Sequence, residues 1–187
     1  MAELQTNFDV SERSGLPSEV RKYLLDCPRP TWTAHPRYHG KAEFFIGYHT
    51  FLRAESEKLG SELEKILDSF TTDVADNPDF RKAEDAGLRL IQYAQHHHRI
   101  EDANYFPMFA QMHPKLRGGL ELLDSDHRAL SSALDNMGRT LRKRVPKEDA
   151  YGSVAIANDR ARELDRLLKR HLFDEEEIII PIFLGVQ

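Results

Sequence analysis

At 187 residues, with 40% apolar and 30% charged side chains, the chain is long enough for one domain with a sizeable core and short for two. A net charge of -5 gives no reason to expect nucleic acid as a partner, and no apolar run approaches the roughly 20 residues needed to cross a bilayer. The single cysteine, Cys27, excludes an intramolecular disulfide framework and a zinc-finger cluster. The polar stretch MAELQTNFDVSERSG predicts no cleaved leader, so the expected location is the cytoplasm.

Strand signals are nearly absent and helical periodicity dominates. A short amphipathic helix is predicted over 17–26, opened by Pro17 and closed by Pro28. The proline-rich CPRPTWTAHPRYHG then reads as an irregular connection. Phe44, Phe45, Tyr48, Leu52, Leu59, Leu63, Ile66 and Leu67 form a helical stripe over 40–70. TTDVADNPDF interrupts it, and Pro78 is placed to open a second helix over 79–112. A third follows over 115–144, ending in the basic run LRKRVPK of 141–147, and a fourth spans 150–184 after VPKEDAYG. Long helices on short loops predict an all-α, up-down-up-down antiparallel four-helix bundle over 40–187, with residues 1–39 as an N-terminal extension carrying the short helix.

Two segments are near copies, HHRIEDANYFPMF at 97–109 and HLFDEEEIIIPIF at 171–183. Both read H-x-x-x-E-[DE]-x-x-x-x-P-x-F, which suggests two similar helical hairpins. Of the three histidines at 96–98 only His97 has a histidine counterpart, His171, and each lies four residues before a glutamate, Glu101 or Glu175. That spacing puts both groups on one helix face, within reach of one ion. His98 and Asp102 share the spacing on a face rotated by about 100°, and read as bordering the site or facing solvent. Each hairpin also needs a donor on its first helix, and His49 and His127 are the candidates. Counting residues to and from each loop, about 21 against 18, 11 against 12 and 18 against 21, returns every helix to nearly the same height. His49, His97, Glu101, His127, His171 and Glu175 are thus predicted to form one layer.

Four imidazoles and two carboxylates exceed what a tetrahedral structural zinc takes. They suit two adjacent first-row ions with carboxylates free to bridge, as in an oxo- or hydroxo-bridged pair of irons that meets oxygen. These residues and the repeated H-x-x-x-E motif resemble the hemerythrin-like, or HHE cation-binding, family over roughly residues 40–184. The resemblance implies a four-helix bundle around a non-haem di-iron centre, and the six residues match the family's ligand positions one by one. One departure is visible. Oxygen carriers of the family have a further histidine four residues from the one matched by His127, where this chain has Ser131.

The function expected is binding of dioxygen or a related species such as peroxide or nitric oxide, for sensing, storage or detoxification. The alternatives are a di-iron peroxidase or oxidase, and an iron- or redox-responsive interaction module whose protein partner the sequence does not name. A small diatomic or peroxide ligand is the expected partner, with neither nucleic acid nor membrane. The remaining candidates have plainer readings. His35, His39 and Glu43 form a four-residue ladder in a proline-rich setting with no repeated partner, and His113 sits at a loop edge. Asp174, Glu176 and Glu177 read as a solvated face, and Trp32, Tyr38, Tyr48 and Tyr105 as aromatic packing. Pro107 and Pro181 should kink or end their helices just past the site.

Overall fold

The computed structural model describes residues 8–69, 77–143 and 149–186. Among them there is no strand, and no helix is long and apolar enough to cross a membrane. The helices are α1 (Ser18–Arg21), α2 (Glu43–Asp68), α3 (Pro78–Ile100), α4 (Phe106–Met112), α5 (Arg117–Arg142) and α6 (Ala150–Phe183). Single 3-10 segments cover Arg29–Ala34 and Pro114–Leu116. The four long helices expected from the periodicity are therefore present, as a helical bundle requires. Most of TTDVADNPDF and VPKEDAYG, and the end of the basic run, lie outside the described residues.

The ends of these helices have local causes. Asn77 caps α3, its side-chain oxygen accepting from the backbone N–H of Asp79 at 2.9 Å, and Pro78 takes the first helical position. At the other end of α6, Gly185 adopts φ +77°, while Gly185 N–H donates to Ile182 O and Val186 N–H to Pro181 O. That is a left-handed cap for which glycine carries no steric cost. Pro107 changes its helix most. Its ring removes one ladder donor, and the chain widens into a π-helical turn over Glu101–Tyr105 before continuing as α4. The distortion therefore begins at Glu101 itself rather than beyond it.

Two expectations need correction near the N-terminus. The helix predicted over 17–26 stops at Arg21, because Tyr23 and Leu24 donate to carbonyls three residues back and tighten the chain into turns. The connection that follows is more regular than expected, since Pro30 favours the helical φ at the second position of the 3-10 segment. Gly40, at φ +124°, breaks the chain just before α2 and moves the helix start to Glu43.

The chain forms two compact units. One comprises the described residues up to Thr50 with His98–Ala129 and those from Lys169 onward, and the other comprises Phe51–His97 and Leu130–Leu168. Each boundary falls inside an unbroken α-helix. The second unit is built on leucine: Leu52, Leu59, Leu63, Leu90, Leu134, Leu141, Leu164 and Leu168 are all buried. Each such side chain contributes roughly 1.5–3 kcal/mol on leaving water. In the first unit Leu16, Val20 and Trp32 share one apolar core with Phe45, Phe109, Leu123 and Ile179.

The N-terminal segment also brings a charge into that unit. Arg13 is buried and forks onto Asp126, with Nη1 2.7 Å from Oδ1 and Nη2 on Oδ2, while its Nε donates to Asp174 at 2.9 Å. Burial alone would lower the Arg13 pKa, but the two carboxylates outweigh it and the net direction is upward. Deleting one partner of a buried pair costs far more than the pair contributes, because the other charge stays buried. Arg13→Ala should therefore destabilise the protein by about 3–5 kcal/mol in urea unfolding. A loss below about 1 kcal/mol, the range of exposed pairs, would show that Asp126 and Asp174 are solvated without it.

Candidate metal centre

Each predicted donor comes from a different part of the helical framework. His49 lies in α2, His97 in the last turn of α3, Glu101 at the start of the π turn, His127 in α5, and His171 and Glu175 four apart in α6. All six are buried, Glu101, Glu175, His49 and His171 completely. Two donor groups result. Nitrogen and oxygen atoms of His49, His97, Glu101 and Glu175 lie within 4.8 Å of one another, and so do nitrogens of His98, His127 and His171.

The orientation of the rings follows from their outer nitrogens. His127 Nδ1 is 2.7 Å from Asp102 Oδ1, His171 Nδ1 is 3.2 Å from Asp126 Oδ2, and His49 Nδ1 is 3.2 Å from Glu176 Oε1. A carboxylate accepts, so Nδ1 carries the proton in each ring and Nε2 keeps its lone pair. Those Nε2 atoms converge. The two on His127 and His171 are 3.1 Å apart, His49 Nε2 is 3.4 Å from Glu175 Oε2, and His127 Nε2 is 3.6 Å from Glu101 Oε2. Lone pairs and carboxylates facing one another this closely call for protons or cations between them.

Electrostatics points the same way. Burial pushes the Glu101 carboxyl up to about 8. Glu175 is raised well above the usual carboxylate range, first by burial and then by the charge of Glu101. Both Glu175 oxygens are buried, and the carboxyl beside them is another acid, Glu101. A bound metal ion removes each of these costs at once, by neutralising the carboxylates and taking up the imidazole lone pairs. The donor set fits a metal site on chemistry as well as on spacing.

The carboxylates behind the rings are themselves anchored. Asp126 is shared between His171 and Arg13, and its carboxyl is raised by burial against the lowering effect of Arg13. Glu176 is shared between His49 and Arg29. The Arg29 guanidinium also lies over the rings of Phe173 and Trp32, 4.0 and 4.6 Å from their centroids. Arg170 and Arg13 both hold Asp174. The acidic run at 174–177 is thus largely internal: Asp174 and Glu176 are buried and ion-paired, which corrects the reading of them as a solvated face.

The three histidines at 96–98 separate differently from what the repeat suggests. His96 is exposed and His97 is 8% exposed, but His98 is only 5% exposed. Its ring stacks on His127 at 4.1 Å and meets His171 edge-on at 5.5 Å. Of the two readings of His98, bordering the site holds and facing solvent does not. The buried stripe of a packed helix is wider than 100°, so successive residues can both fall within it. Asp102 is 40% exposed on its side chain and borders the site through His127. Ser131 is exposed.

Other candidates stay apart from the donor groups. His39 forms an exposed pair with Glu43 at 3.2 Å, and His35 Nδ1 accepts from the Arg37 N–H. Trp32 donates its indole N–H to Cys27 O, and Tyr105 stacks on Phe109. A surface groove lined by Asp102, Phe106, Pro107, Arg117, Glu121 and Asp124 reaches the back of His127 through Asp102 and Phe106, whose ring stacks on that imidazole at 5.3 Å.

The family model of the Hemerythrin HHE cation binding domain matches residues 42–183, a span that covers well over half of the chain and all six predicted donors. Comparison with curated proteins and with solved structures returned no match. Fold, donor chemistry and family match agree: the chain belongs to the hemerythrin HHE cation-binding domain family.

Proposed function

We propose that the protein is a non-haem di-iron protein that binds dioxygen or a related small oxidant, in sensing, storage or detoxification. The observation that supports this reading is the pair of donor groups set side by side, with Glu101 and Glu175 in reach of histidines from both. Iron held there would supply one-electron redox chemistry and a coordination position for a small ligand. The protein's share is to fix the rings through Asp102, Asp126 and Glu176, and to keep water away with Phe45, Phe106 and the buried isoleucines of α6. A reducing, cytoplasmic setting accompanies this reading, since Cys27 has no second thiol to pair with.

A second reading, a di-iron peroxidase or oxidase, is favoured by Asp102. Its carboxylate lies at the groove and accepts from His127, so it offers a route for protons that peroxide reduction consumes. No other acid or base of the site lines the groove.

Two measurements test the proposal. Metal-free protein reconstituted anaerobically with iron(II) should retain about two ions per chain, as a two-metal site takes. His97→Ala should lose metal while the exposed His96→Ala does not, and protein that takes up no iron contradicts the proposal. Metal should also stabilise the fold: at about 100 times its Kd, an ion that binds only the folded chain adds about 2.7 kcal/mol to unfolding. Optical spectra of the iron form then separate the two functions. Bands that cycle with addition and removal of oxygen favour a carrier or sensor, and irreversible oxidation with peroxide turnover favours an enzyme.

A further inference from the structure

We infer that His98 is a metal ligand, which gives the position at His127 and His171 a third imidazole and makes the two metal positions chemically unequal. This rests on the two-ion reading above and assigns a residue that neither the repeat nor the spacing argument selects.

Three observations carry it. His98 is buried within the site, and one of its ring nitrogens lies within 4.8 Å of nitrogens on both His127 and His171. Its ring is nearly parallel to that of His127, at 17°, and nearly perpendicular to that of His171, at 82°. It therefore sits beside the point where the two Nε2 atoms approach to 3.1 Å. Helix α3 also ends at the site, so that two consecutive residues serve two positions. His97 belongs to the group with His49, Glu101 and Glu175, and His98 to the group with His127 and His171.

Donors elsewhere do not replace it. On α5, one turn beyond His127, Ser131 is exposed, and one turn before it stands the apolar Leu123. Asp126 and Asp102 are engaged behind the rings, on the Nδ1 atoms of His171 and His127. With His98, one position has three neutral imidazoles and the other has two imidazoles with two carboxylates. A nitrogen-rich neutral set holds a divalent ion without adding negative charge, whereas the carboxylate-rich set favours the higher oxidation state. The two irons should accordingly differ in how readily they are oxidised.

The test uses the full chain, stripped of metal and titrated anaerobically with zinc(II) and cobalt(II), as wild type, His96→Ala and His98→Phe. Phenylalanine keeps a ring to stack on His127 and removes both nitrogens. Wild type and His96→Ala should take about two ions. His98→Phe should keep the first and bind the second more than about tenfold more weakly, beyond the lower end of what losing an outer partner costs. In protein labelled with nitrogen-15 in histidine, the His98 ring signals should move on zinc loading together with those of His127 and His171. If wild type takes no ion, the two-ion reading fails and the inference with it. If wild type takes two, His98→Phe binds both within about tenfold and the His98 signals stay in place, His98 only packs and the inference alone falls. Should the variant not fold, judged by circular dichroism, the ring signals of the wild-type protein decide by themselves.

Discussion

Everything about this protein follows from burying charge-bearing groups where water cannot reach them. Glu101 and Glu175 are fully enclosed and surrounded by imidazole lone pairs; burial raises both carboxyls, and the charge of Glu101 raises Glu175 further. A helical core normally excludes such a layer, because taking each carboxylate out of water costs several kcal/mol. The arrangement becomes favourable when a cation compensates it, and this is why the donor set reads as a metal centre rather than as a structural polar network.

The surrounding layer makes the same point at longer range. Three rings of the donor groups each lean on a carboxylate through Nδ1, and two of those carboxylates are in turn held by arginines from the N-terminal segment, Arg13 and Arg29. Residues ahead of the family-matched span thus set the charge and orientation of groups inside it. Within the first unit, isoleucines and phenylalanines supply the non-directional burial that encloses this polar layer.

Much of this was legible in the sequence, for identifiable reasons. Helical periodicity survives in any amphipathic helix, so the long helices could be placed to within a few residues. The repeat singled out His97, Glu101, His171 and Glu175, and rise per residue linked them to His49 and His127. What stayed hidden depends on contacts that sequence spacing does not encode. Arg13 reaches Asp174 across 161 residues, and nothing in the local pattern of either announces the partner. Asp174 and Glu176 looked solvated because a run of acids usually is, yet ion pairs to the buried Arg13 and the half-buried Arg29 accompany their burial. For His98, spacing left open whether it borders the site or faces solvent, because it does not show how wide the buried stripe of a helix is.

The most direct test of the central claim is anomalous scattering from crystals of the iron-loaded protein at the iron edge. The account predicts two iron peaks about 3.5–4 Å apart, the spacing of a two-metal site, one among His49, His97, Glu101 and Glu175 and the other beside His127 and His171. A single peak, or none within the layer formed by these residues, would contradict it.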